Sequence, residues 1–151
     1  MDLRAAILWL QIFHVAFLLL HDWIPLGALN DLAAVRRENS RRALIMGTAI
    51  SSLAFVLGLV FCFVYVPWPH WLCVYLLVAY IFLFFGELHA WWVPYLVWPQ
   101  PRRAVRYEAM FGRTHAFLPG RNGIRPNTLH VILHVATLAL VLLLAVQVWR
   151  S

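Results

Sequence analysis

Four long apolar blocks, Ala5–Leu20, Ala43–Val66, Trp71–Trp98 and Leu129–Trp149, take up most of this chain. A helix that crosses a bilayer needs about 20 predominantly apolar residues, and each block is of that order once Trp23–Leu26 is added to the first. Transmembrane strands would be nearer 10 residues and would alternate in polarity, which these blocks do not. At 64% hydrophobic and 12% charged residues, the chain is also far from an ordinary soluble fold, in which about 25% of residues are charged. The expectation is an all-α integral membrane protein. A single domain over residues 1–151 holds a four-helix transmembrane bundle, with helices over about 5–24, 43–66, 71–98 and 129–149.

The first block is short and follows Arg4, as a signal peptide might be built. No small-x-small cleavage site follows Leu20, so the segment is read as a retained helix.

Every basic residue is arginine, and ten of the twelve lie in two connectors. Arg36, Arg37, Arg41 and Arg42 fall in the loop 27–42, and Arg102, Arg103, Arg106, Arg113, Arg121 and Arg125 in the loop 99–128. The positive-inside bias places both loops in the cytoplasm and both termini outside. The formal charge of +6 is therefore read as orientation and attraction to anionic lipid, not as nucleic-acid binding.

Asn30 or Asp31 is expected to cap a short helix carrying Leu32–Arg42. Helix 2 has small residues at helical spacing (Gly47, Ser51, Ala54, Gly58, Cys62), a stripe that lets a neighbouring backbone approach. Between helices 3 and 4, Ala104, Tyr107, Met110 and Phe111 share one helical face while Arg102, Arg103 and Arg106 lie largely on another. This predicts a short amphipathic helix in the membrane interface. Cys62 and Cys73 flank the Pro67–His70 hairpin at similar distances. Both a disulfide and two buried free thiols fit that placement.

Polar residues inside apolar helices are costly and call for a reason. Gln11, His14 and His21 share one face of helix 1, Tyr80 and Glu87 one face of helix 3, and Asn127, His130, His134 and Thr137 one face of helix 4. The three stripes are expected to face one another. Glu87 and His89 lie about 200° apart round their helix, so only one can point inward. With the arginine loops inside, His21, Glu87, His130 and His134 gather near the cytoplasmic end. His14 then forms the floor of the pocket, and Asp22, Asp31, Glu108, Arg113 and His115 its rim.

Three functions fit such a pocket. The first is binding, with or without chemical modification, of an amphipathic lipid or lipid phosphate. Arg113, His115, Arg121 and Arg125 would contact the anion, because the guanidinium fork suits phosphate. Backbone amides of Gly120–Gly123 would assist them, and Glu87, His130 and His134 would serve as catalytic acid–base groups. The second is an accessory or scaffold subunit, in which the stripes are interhelical hydrogen bonds worth about 0.6 kcal/mol each in a membrane. The third is a metal site drawn from His14, His21, Glu87, His130 and His134. His130 and His134, four apart, would be two ligands from one helix, although no His-Glu-x-x-His or Glu-x-x-His signature accompanies them. Axial haem ligation by His14 and His134 has no specific spacing behind it. Expected partners are membrane lipid and either a second copy or another membrane protein.

The polar residues concentrate in three short motifs, Gly86-Glu-Leu-His-Ala-Trp-Trp-Val-Pro-Tyr95, Met110-Phe-Gly-Arg-Thr-His-Ala-Phe-Leu-Pro119 and Asn127-Thr-Leu-His-Val-Ile-Leu-His134. They are similar to motifs of small bacterial membrane proteins. That resemblance implies a multi-pass protein of the bacterial cytoplasmic membrane and carries no activity.

Overall fold

The computed structural model describes residues 2–151, and it is helical throughout. Helix α1 (Leu3–Leu20) is followed by a short α2 (Leu32–Glu38) and by α3 (Arg41–Val64). Helix α4 (His70–Glu87) runs through a π-helical turn, Leu88–Trp92, into the short α5 (Val93–Leu96). Helix α6 (Pro101–Phe111) and the long α7 (Thr128–Arg150) complete the chain. Four helical stretches are long and apolar enough to cross a membrane: Leu3–Leu20, Arg41–Val64, His70–Leu96 and Thr128–Arg150. They form a closed square in which α1 contacts α3 and α7, and α4 contacts the same two helices from the opposite corner.

The boundaries follow from caps. Helix α1 ends four residues earlier than the expected span of about 5–24, because Asn30 folds back onto it. The Asn30 Nδ2 donates to the carbonyls of His21 and Ile24 at 2.7 and 2.9 Å, and its Oδ1 accepts from Leu26 N. Asp31 then accepts from Ala34 N at 2.9 Å and starts α2. The predicted cap thus divides its work between two residues. The short helix stops at Glu38 instead of running to Arg42, because Ser40 accepts from Ala43 N and opens α3 at Arg41. Asn127 starts α7 in the same way, accepting from His130 N at 3.1 Å.

The π turn in α4 has a covalent cause. Pro94 lacks an N–H, so the carbonyls one turn before it lose a helical partner. Helix α6 supplies the missing donors. Arg103 Nη1 donates to the carbonyls of His89 and Ala90 at 2.7 and 3.1 Å, and the Tyr107 hydroxyl donates to Ala90 O at 3.2 Å. Next to Tyr107 on α6, Met110 is seated against Val35 and Leu44. The amphipathic helix expected from the sequence is therefore present, and it is laid across the arginine-side end of the bundle.

Polarity is inverted relative to a soluble protein. Gln11, His14, Glu87, His134 and Thr137 are buried, whereas Ile50, Phe82 and Val135 point outward and are 73%, 73% and 62% exposed. Cys62 and Cys73 are both buried and free. Gln11 Nε2 lies 3.5 Å from Cys62 Sγ.

Candidate polar site at the arginine-side end

The three predicted stripes do face one another. At their centre is Thr137, a residue with no expected site role. Its hydroxyl donates to Glu87 Oε1 at 2.7 Å, with Leu133 O at 3.0 Å as a second acceptor for the same proton. His14 Nε2 stands 2.8 Å from that oxygen. Because the single hydroxyl proton is committed, His14 must be the donor in this contact, which leaves its Nδ1 as a bare lone pair. One small side chain on α7 thus links the carboxylate of α4 to the imidazole of α1.

Tyr80 closes the network from α4, with its ring edge-on to His14 at 5.4 Å between centroids. Four buried atoms around this core have no hydrogen-bond partner among the described residues: Gln11 Oε1, His14 Nδ1, Tyr80 OH and Glu87 Oε2. Such orphans are rare in native proteins and cost about 1–3 kcal/mol each.

Of the remaining predicted site residues, His21 lines one cavity, Glu87 and His134 a second, and His130 both. A chamber of about 460 Å³ lies at the arginine-side end, bounded by α1, α2, α3, α6, α7 and Trp91 of the π turn. Its apolar lining includes Phe17, Leu18, Leu44 and Leu133, and its polar lining His21, Asp22, Asn39, Arg106 and Tyr107. His21 Nδ1 donates to Phe17 O at 2.9 Å, and its Nε2 is 3.3 Å from Asp22 Oδ1. Arg106 Nη2 donates to Asn39 Oδ1 at 2.8 Å, so the other guanidinium N–H groups remain for a ligand.

The second cavity is a cleft of about 330 Å³ between α4 and α7, lined by Glu87, His130 and His134 together with Phe82, Leu83, Gly86 and Leu133. Trp91, His130 and Leu133 belong to both cavities and form the wall between them. The Trp91 and His130 rings sit 4.5 Å apart between centroids. Each histidine is fixed in one orientation. His130 Nδ1 contacts Asn127 Oδ1 at 2.6 Å, so that nitrogen carries the proton and Nε2 is the free lone pair. Trp92 Nε1 donates to His134 Nδ1 at 3.1 Å, so in His134 the proton sits on Nε2.

Several expected members lie elsewhere. His14 belongs to the core network and lines neither cavity. Arg113, His115, Arg121 and Arg125 are exposed and line neither cavity, with His115 bound to Thr128 and Arg125 to Thr114 O. The segment Gly120–Gly123 forms a tight hairpin turn. Asn122 and Gly123 have φ of 54° and 73°, and Arg121 and Ile124 exchange both backbone bonds, so the Arg121 amide is already used within the turn. Of the expected rim only Asp22 lines the chamber, and Asp31 is spent as a cap. His89 points outward while Glu87 is buried, as their angular separation requires.

Among the described residues, no three His, Cys, Asp or Glu side chains are placed to hold one metal ion. Thr137 stands between His14 and Glu87, while Asn127 and Trp92 each occupy one nitrogen of His130 and His134.

Besides Thr137, Arg106 and Trp92 contribute without a site signal in the sequence. Arg106 falls on the polar face of α6 by its spacing, yet it lies one turn from Met110 and reaches the chamber. The chain matches no protein family, no curated protein and no solved structure.

Proposed function

We propose that this chain is a four-helix membrane protein that binds an amphipathic lipid bearing an anionic head group, with the head in the arginine-side chamber. The chamber carries this reading. It brings apolar side chains together with donors and acceptors, drawn from helices far apart in sequence. Arg106 is the cation for the head group, since a guanidinium fork binds phosphate or carboxylate oxygens in pairs. The arginine loops lie on the cytoplasmic side of a bacterial inner membrane and α6 in its interface. The outward display of Ile50, Phe82 and Val135 supports this placement, because a surface of that kind is unfavourable in water. Any chemistry on the bound lipid runs through the free Nε2 of His130, which lies on the wall common to both cavities.

A scaffold role explains the His14–Thr137–Glu87 and Trp92–His134 bonds equally well. It leaves the chamber without a purpose.

Native mass spectrometry of the purified protein in mild detergent tests the reading. One anionic lipid per chain is expected to survive delipidation, with retention falling about tenfold in Arg106→Gln at unchanged melting temperature. Loss of all lipid from the wild-type protein on mild delipidation would overturn it.

A further inference from the structure

The cleft between α4 and α7 has a hydrogen-bonding character of its own, set by groups outside the chamber. Glu87 is 7% exposed, and its Oε1 already accepts from Thr137. Its Oε2 is buried with no partner among the described residues, in a side chain that lines the cleft. His134, 3% exposed, lines the same cleft and holds its proton on Nε2, because Nδ1 is taken by the Trp92 indole. The cleft is therefore lined by one donor, His134 Nε2–H, and by two side chains with an unpartnered acceptor, Glu87 (Oε2) and His130 (Nε2), among the apolar residues Phe82, Leu83 and Leu133. Gly86 widens it, since a side chain built there would meet nothing within 4 Å.

That pairing selects among chemical groups. A carbonyl or ether oxygen can accept from His134 but cannot donate to Glu87. An ammonium can donate to Glu87 but offers His134 no lone pair. A phosphate would face a carboxylate at short range. An alcohol does both, donating its proton to Oε2 and accepting from Nε2–H.

We infer that the α4–α7 cleft is a binding site for the hydroxyl group of a long-chain apolar alcohol, with Glu87 Oε2 as its acceptor and His134 Nε2–H as its donor. The inference rests on the reading that the outward faces of α4 and α7 lie in lipid, from which such a molecule would arrive sideways. It does not require the anionic head-group site. The two cavities meet at His130, so the alcohol oxygen would be held next to the residue that borders the head-group chamber.

The test uses the full chain in lipid nanodiscs and two photoactivatable probes, a hexadecanol with a diazirine in its chain and the corresponding methyl ether. The alcohol should label peptides spanning Phe82–Trp91 and the Leu133 region about tenfold more than the ether does. In Glu87→Gln, Thr137 holds the amide oxygen and turns the amide N–H groups toward the cleft. The groups at positions 87 and 134 are then both donors, an ether satisfies them as well as an alcohol, and the ratio should fall to about one. Equal labelling by the two probes in the wild-type protein overturns the inference. So does labelling confined to chamber peptides, or a ratio unchanged in a folded Glu87→Gln variant. Loss of the alcohol preference while an anionic lipid still co-purifies removes this site alone. Alcohol labelling without a retained anionic lipid removes the head-group reading alone.

Discussion

Thr137 donates its hydroxyl to Glu87 Oε1 at 2.7 Å and so joins α7 to α4 at the one point where His14 of α1 also arrives. The interior of this bundle is held at that oxygen. An average interhelical hydrogen bond in a membrane is worth about 0.6 kcal/mol. This one is worth more, because its loss strands buried atoms on both neighbours.

Thr137→Val keeps the shape of the side chain and removes the hydroxyl. It should cost about 2 kcal/mol, the penalty for leaving the His14 and Glu87 atoms unpaired in the core. Thr137→Ser, which keeps the hydroxyl, should stay within about 1 kcal/mol of the wild type. Melting curves of the two variants in the same detergent decide the matter, and equal melting temperatures would remove Thr137 from the centre of the network.

The π turn of α4 and the guanidinium of Arg103 should be energetically coupled. Arg103→Ala leaves the carbonyls of His89 and Ala90 with fewer donors and should destabilise the protein by about 1–3 kcal/mol. Pro94→Ala restores an N–H one turn beyond Ala90 and lets the helix satisfy that carbonyl itself. In a double-mutant cycle the Pro94→Ala background should therefore recover about 1 kcal/mol of the Arg103→Ala cost. Strict additivity of the two changes would show that Arg103 is held there for another reason.

The small residues of α3 should divide into two groups with different consequences. A Cβ on Gly58 would fall 2.6 Å from Leu76 Cδ2 and 3.3 Å from Tyr75 Cε1, so Gly58→Ala should destabilise by about 1–3 kcal/mol through overpacking. Gly47 lines the chamber and a Cβ there meets nothing within 4 Å. Gly47→Leu should leave the melting temperature within about 2 °C while projecting a side chain into the cavity, a shift that corresponds to under 1 kcal/mol. Retention of anionic lipid by Gly47→Leu at the wild-type level would mean that the chamber is not where the lipid sits.

Helix number, helix order and the inward stripes were legible in the sequence because each rests on one strong periodic signal, apolar length or a repeat of three to four residues. The stripe on α3 misled in part. Small residues at helical spacing mean close approach when a neighbour is there, as for Gly58 against Leu76, but at Gly47 and Ser51 the same pattern makes room for a cavity. The arginines were legible as a group but not one by one. Charge fixes the side on which they lie, whereas the angle of α6 decides that Arg103 reaches the π turn and Arg106 the chamber while Arg113 and Arg121 stay outside. Thr137 was visible on its stripe but gave no sign of being central, since a threonine matters here only through two partners contributed by other helices.

The Tyr107 hydroxyl should give the protein an alkaline limit that a phenylalanine lacks. Burial raises its pKa above the ordinary value of 10, and the positive charges of Arg103 and Arg106 only partly oppose this. An unfolded chain releases the phenolic proton near 10, whereas the folded chain holds it to higher pH. Above that value the unfolded state binds fewer protons than the folded one, so stability falls as pH rises, and below it the contribution is fully present. Tyr107→Phe loses the bond to Ala90 O, about 1 kcal/mol, and should be the less stable protein at pH 8. Between pH 10 and 11 the wild type alone loses stability through this group, so the gap between the two melting temperatures should narrow. A gap of constant size from pH 8 to 11 would show that the phenol titrates alike in the folded and unfolded chains.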